Sequence, residues 1–221
     1  MQYKLLLILL FLFVSKLSFT QKFNIKPIDS LCNKKITGIV FTITDVTFSK
    51  QINYTSCGIG GALQINDKAY LGIYGMGLMS EIKASDFNYK NEISDYQVSF
   101  SNGGIFVGYK NTQLKNISFS SALKFGYGAI FMYNSQLVID YNYYRDEVII
   151  INPSFDTEIY ITNWLKLNVG VGVKFIHGFS EKFINQDGNQ IQLYNGKSFE
   201  GFNLSLSLFL GSFCKYQHIK K

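Results

Sequence analysis

The sequence predicts an all-β protein, an eight-stranded antiparallel up-and-down transmembrane β-barrel, on three observations. The first is an alternation of unusual polarity over residues 163–179. Its odd positions Leu165, Leu167, Val169, Val171, Val173 and Phe175 are large and apolar, whereas Lys166, Asn168, Gly170, Gly172 and Lys174 are small or polar. Successive side chains of a strand point to opposite faces, so a period of two marks a strand and not a helix. The second observation is that eight segments can be strands, several of them about ten residues or longer, the length a tilted strand needs to cross a bilayer. The third is that short connections (66–68, 111–116, 162–164) alternate with long ones (82–95, 134–147, 180–198). Short turns at one end and long loops at the other are the layout of transmembrane barrels, with both termini at the short-turn end. The short first connection, near 49–52, is the exception.

The chain begins with Lys4 and an unbroken apolar run from Leu5 to Val14, followed by small and polar residues ending at Thr20. This run is shorter than the roughly 20 residues of a spanning helix, so 1–20 is expected to be a secretory signal peptide. Residues 21–35 are then an N-terminal periplasmic segment, 36–213 the barrel and 214–221 a short basic tail. Tyr and Phe number 15 and 20 and Pro only 2, a composition that suits strands.

The expected strands cover 36–48, 53–65, 69–81, 96–109, 117–133, 148–161, 165–179 and 199–213. In the second and third, the glycine clusters 58–61 and 72–77 are followed by no helix, so they mark bends or close packing and not a phosphate loop. The third is large on both faces and cannot be phased. In the fourth, the apolar phase runs through Tyr96, Val98 and Phe100 and then changes to Ile105, Val107 and Tyr109, which predicts a β-bulge at Asn102-Gly103-Gly104. In the fifth, Ile117, Phe119, Leu123, Phe125, Tyr127 and Phe131 oppose Ser118, Ser120, Lys124, Gly126 and Gly128. The sixth sets Asn152, Ser154, Asp156 and Glu158 against Ile151, Phe155, Ile159 and Ile161, and the eighth sets Phe202, Leu204, Leu206, Leu208 and Leu210 against Asn203, Ser205 and Ser207.

Large apolar rows opposite small polar ones fit a barrel turned inside out relative to a soluble sheet. The interior of eight strands is only wide enough to be filled by side chains, and the apolar rows face lipid. Asp156, Glu158, Lys166, Asn168, Lys174 and Lys124 are therefore expected to form a polar network in the lumen. A three-residue loop at 161–163 puts Glu158 directly opposite Lys166 and Asp156 opposite Asn168, near the turn end of the barrel.

The formal charge of +6 falls to +4 without Lys4 and Lys16 of the leader, and it is thinly spread, so nucleic-acid binding is not expected. Cys32, Cys57 and Cys214 are an odd number without metal-ligand spacing; no metal site or cofactor is expected, and Cys57 reads as a small apolar strand residue. Catalysis would need a nucleophile and base. His177 and Ser180 stand at the loop end of the seventh strand, but His218 is the only other histidine, and no third group orients the base.

In its layout from Ile36 to Phe213, the chain resembles the small outer-membrane β-barrel proteins of Gram-negative-type bacteria, the OmpA/OmpX size class. Segments 36–48, 58–78 and 151–175 and the last strand carry the likeness. The resemblance implies residence in the bacterial outer membrane, contact with its lipids and insertion by the barrel assembly machinery. Such barrels end in an aromatic residue that helps the machinery recognise the last strand. Phe213 matches it, although 214–221 follow and Phe213 has the parity of the lumen row.

The function expected is a non-enzymatic one, structural, adhesive or loop-mediated. Tyr141, Tyr143, Tyr144 and Arg145 are residue types enriched at recognition surfaces, and equally they suit an interfacial aromatic girdle. No extracellular ligand can be named from these residues. The alternatives are a secreted soluble β-sandwich or lipocalin-like binding protein and a lipid-modifying barrel enzyme.

Overall fold

The computed structural model describes residues 36–66, 68–83, 96–114, 116–134, 144–178, 183–184, 190–191 and 198–213; expectations for 1–35, Tyr141, Tyr143, Ser180, His218 and 214–221 lie outside them. Eight long strands are present among these residues: β1 (Ile36–Ser49), β2 (Asn53–Ile65), β3 (Ala69–Leu78), β4 (Tyr96–Leu114), β5 (Ile117–Asn134), β6 (Tyr144–Tyr160), β7 (Leu165–Gly178) and β8 (Gly201–Gly211). Each pairs antiparallel with its neighbour in sequence, and β1 pairs with β8, so the sheet closes on itself without free edges. A short pair, Ile82 and Lys83, extends the wall against Val98 and Gln97 of β4, and Phe183–Ile184 pairs with Gln190–Ile191.

The alternation read from the sequence sorts side chains between the two faces. Leu204, Leu206 and Leu210 of β8, Val169, Val171, Val173 and Phe175 of β7, and Leu123, Phe125 and Tyr127 of β5 are exposed on the outer wall. Asn203, Ser205 and Ser207, Lys166 to Lys174, and Ser118 to Lys124 are buried in the lumen at the opposite parity.

Two expectations about the strands are corrected, and the third strand, left without a phase by the sequence, receives one. No bulge occurs at Asn102-Gly103-Gly104: β4 stays in register with β5 from Ser101 opposite Ala129 to Gly104 opposite Gly126. The apolar phase changes because Val98 and Phe100 lie inside the barrel, where they pack with Tyr54, Ile130, Val148, Ile150, Ile176 and Phe199 at the loop end. The irregularity falls instead between Lys110 and Thr112, beside a turn. The third strand is large on both faces because Tyr70, Tyr74 and Met76 point inward while Leu71 and Ile73 point outward. Finally, β6 and β7 are joined by four residues, 161–164, and not three. Thr162 Oγ1 accepts hydrogen bonds from the backbone N–H groups of Trp164 (3.1 Å) and Leu165 (2.9 Å) and so stabilises the longer turn.

A second interior cluster lies at the turn end, built on Ile39, Phe41, Tyr70, Phe106, Tyr160, Phe209 and Phe213. The rings of Phe41 and Phe209 stack with centroids 4.9 Å apart. Glycine makes this packing possible: a β-carbon on Gly60 would stand 2.4 Å from the Phe41 ring and 2.6 Å from the Ile73 carbonyl oxygen. In the second glycine cluster only Gly72 packs as closely, a β-carbon there meeting the Gly61 carbonyl oxygen at 2.2 Å, whereas Gly75 and Gly77 have nothing within 4 Å.

Candidate functional site in the barrel lumen

Between these clusters the inner wall is polar. Along β6 the inward row runs Tyr160, Glu158, Asp156, Ser154, Asn152 and then turns apolar at Ile150 and Val148; along β7 it runs from Lys166 to Lys174 and ends at Ile176. Charges enclosed this way need partners, because desolvation is costly. Among the described residues four acids (Asp45, Asp146, Asp156, Glu158) and four lysines (Lys110, Lys124, Lys166, Lys174) are buried, so the enclosed charge balances.

The lower polar group centres on Glu158 and Lys166. The backbone register places Glu158 opposite Asn168, Asp156 opposite Gly170 and Tyr160 opposite Lys166, two residues from the pairing expected of a three-residue loop. An even displacement keeps every side chain on its own face, so the two charges still meet, diagonally: Lys166 Nζ lies 2.9 Å from Glu158 Oε2. Ser118 and Ser120 donate to the two carboxylate oxygens at 2.9 and 3.0 Å, and Tyr70 Oη accepts from Lys166 and donates to Glu158, each at 3.1 Å. The rings of Tyr70, Phe209 and Phe213 stand 4.7, 4.8 and 4.9 Å from the same ammonium, which is thereby caged on its apolar sides.

In the upper group Lys124 and Lys174 are in the lumen as expected, but the centre was missed in the sequence, because Asp45 sits on β1 in an inward row that otherwise reads Ile39, Phe41, Ile43 and Thr47. Lys124 Nζ lies 3.3 Å and Lys174 Nζ 4.0 Å from Asp45 Oδ2, and Lys174 also donates to Thr47 Oγ1 at 3.1 Å. An acid interrupting an apolar strand row was the available signal. Without a phase for β1 it pointed to neither face. Asp156 accepts from Ser154 Oγ at 3.0 Å, and Asn168 is buried opposite Glu158.

The mouth is stopped by Phe199, whose ring packs 5.7 Å from both Tyr54 and Phe100 and whose carbonyl accepts from Tyr54 Oη at 2.8 Å. Ser49 Oγ donates to the Ser198 carbonyl at 2.6 Å, and Gln51 bonds the Ser198 hydroxyl, so the first connection grips the chain entering β8.

The residues considered for loop recognition divide. Tyr144 and Arg145 belong to strand β6 and not to a loop. Arg145 is exposed, with its guanidinium 3.3 Å from Glu147 and 5.8 Å from the centre of the Phe131 ring. His177 is exposed on β7 opposite Ile149, away from the lumen groups. Phe213 points inward, and its N–H donates to the Asn163 carbonyl at 2.7 Å.

No protein-family model matches the sequence, and no curated protein is similar to it. Solved structures are similar in shape. Neisserial surface protein A superposes with a TM-score of 0.53 at 12% identity, covering 83% of this chain and 98% of that one. The N-terminal β-barrel domain of Pseudomonas aeruginosa OprF gives 0.49 at 7% identity, with 79% and 96% covered. Ail, the attachment invasion locus protein of Yersinia pestis, seen in complex with the heparin analogue sucrose octasulfate, gives 0.48 at 5% identity, with 80% and 97% covered. With its closed sheet, lipid-suited outer wall and filled lumen, the chain has the fold of the small eight-stranded outer-membrane β-barrels.

Proposed function

We propose that the protein is a non-enzymatic β-barrel of the bacterial outer membrane, exported by its leader, with a structural, adhesive or loop-mediated binding role and no conducting pore. The filled lumen carries this reading: apolar side chains close both ends, and a charge-balanced polar section occupies the middle. Eight strands leave no aqueous channel once side chains fill the interior. The outer rows of Leu, Val, Ile and Phe suit contact with lipid, whereas a soluble lipocalin-like binder would carry its polar residues there. The barrel assembly machinery is the partner such a chain needs, and an extracellular ligand would meet the loops.

Cell fractionation combined with gel mobility tests the location. The protein is expected in the outer-membrane fraction and to migrate differently before and after boiling; recovery as a detergent-free soluble protein would refute the membrane reading. Planar-bilayer recordings test the closed lumen, where steady ion conductance by purified protein would overturn it.

A further inference from the structure

The outer wall is uneven. Over β5 to β8 its exposed side chains are large, among them Phe125, Phe155, Phe175 and Leu206. Over β1 to β4 the outward positions include Gly38, Gly61, Gly75 and Ser101. Beside them Ile59 and Ile73 stand 69% and 68% exposed, more than any other large apolar side chain among the described residues. A β-carbon on Gly38 or Gly75 would meet nothing within 4 Å, and one on Gly61 only a carbonyl oxygen at 3.6 Å. The surface between the two isoleucines is therefore open.

The strand registers orient this relief. The line of paired residues that leaves β1 at Thr37 crosses Ala122 and Gly172 and returns to β1 at Thr47, a shear of ten residues. With strands about 4.8 Å apart and a rise of about 3.3 Å per residue, that shear tilts them about 40° from the barrel axis. Gly61 pairs with Val40 and Ile73, and Gly75 with Ile59 and Gly103, so each step from Gly38 through Gly61 and Gly75 to Ser101 moves one strand over and two residues up. At this tilt the two displacements nearly cancel sideways and add upward. The four residues floor a groove parallel to the barrel axis, with steps of about 8 Å and a length of about 24 Å, close to the height of the apolar band. Val40 and Ile59 line one side of the groove, Leu63 and Ile73 the other. In height, Leu63 falls between Gly38 and Gly61, and Ile73 between Gly61 and Gly75.

We propose that this ridged face is an interface between two copies of the chain in the membrane. Two barrels inserted in the same direction are related by a two-fold axis along the membrane normal, which keeps heights and exchanges sides. Placed between the groove and the Leu63–Ile73 ridge, that axis sets the ridge of each copy into the groove of the other, with Ile73 between the partner's Gly61 and the partner's Gly75. Small residues let the walls approach, and packing of this kind drives association in lipid, where apolar surface alone does not. With Val40, Ile59, Leu71 and Ile105 at its margins, the strip is about 16 Å wide, roughly 400 Å² of flat wall per copy before side-chain relief is counted, so the pair approaches the roughly 1,000 Å² of a specific interface. The inference rests on the membrane placement proposed above.

Sedimentation equilibrium of the refolded, heat-modifiable protein in density-matched micelles tests it, over a range of protein-to-detergent ratios. Wild type is expected to sediment as monomer and dimer in equilibrium. Gly75→Leu fills the groove and Ile73→Ala removes the ridge, and each should weaken the dimer about tenfold or more, whereas Phe155→Ala on the other half of the wall should leave it unchanged. Wild type that stays monomeric while heat-modifiable, its groove left to detergent or lipid chains, overturns the proposal, as does a dimer of undiminished strength in both groove variants. Should Gly75→Leu fail to assemble, Ile73→Ala decides alone. Absence of heat-modifiable barrel in wild type would instead refute the membrane reading, and the proposal with it.

Discussion

Glu158 and Lys166 are joined by a 2.9 Å ion pair although their backbones are not opposite each other: Glu158 stands across from Asn168 and Lys166 across from Tyr160. A long lysine side chain spans the diagonal between pleats, so contact survives a shift of two residues in register. The same ammonium is held by Tyr70 of β3 and by rings from β8 and from Phe213, beyond the end of β8. One charge therefore links four parts of the turn end.

Lys166→Met leaves Glu158 enclosed with its serine and tyrosine donors but no counter-charge. It is expected to lower stability by about 3–5 kcal/mol, and Lys166→Met with Glu158→Gln by distinctly less. Urea unfolding in micelles, followed by tryptophan fluorescence of Trp164, checks the order. A double variant less stable than the single would refute the pairing.

Asp45→Asn should be severe because one carboxylate faces both Lys124 and Lys174. A loss of about 3–5 kcal/mol is expected, against at most about 1 kcal/mol for Glu147→Ala, whose partners Arg145 and Tyr127 are both exposed. Equal effects in the same unfolding assay would show that the two pairs are equally solvated.

Gly60→Ala puts a methyl group 2.4 Å from the Phe41 ring and 2.6 Å from a backbone oxygen. Overpacking of this kind costs about 1–3 kcal/mol. Phe41→Leu in the same chain should restore part of the loss, because the clash with the Ile73 carbonyl remains. Additive losses would place the ring elsewhere.

Leu206→Arg tests which face meets lipid. Leu206 is 51% exposed on the outer wall, and arginine at a lipid-facing midplane position costs about 2–4 kcal/mol. A smaller fraction of heat-modifiable barrel is expected after refolding into vesicles. On a wall facing water, the change would leave that fraction untouched.

Much of the fold was legible because two-residue periodicity survives any pairing of the strands. Leu204, Leu206 and Leu210, or Val169 to Phe175, show their common side whatever stands next to them. Strand ends were harder: β4 runs on to Leu114 and β6 begins at Tyr144, which moves Arg145 from an expected loop onto the wall. The supposed bulge in β4 followed from treating all large apolar residues as outward, a rule that Val98 and Phe100 break.

Read along the chain, residues mark eight strand segments, most of them alternating, gather short turns at one end, and put Glu158, Lys166, Lys124, Lys174, Asp156 and Asn168 on the side of the small residues. Which of them touch is settled by the closed barrel. Asp45 meets Lys124 over a separation of 79 residues, Tyr70 reaches Glu158 over 88, and the four-residue turn at 161–164 is fastened by backbone bonds from Gly211 and Phe213. Periodicity is a property of neighbours along the chain and fixes a side chain's face. Register, partner and filling of the lumen arise where distant strands meet, and there the space left by Gly60, Gly172 and Gly126 decides which large or charged group fits.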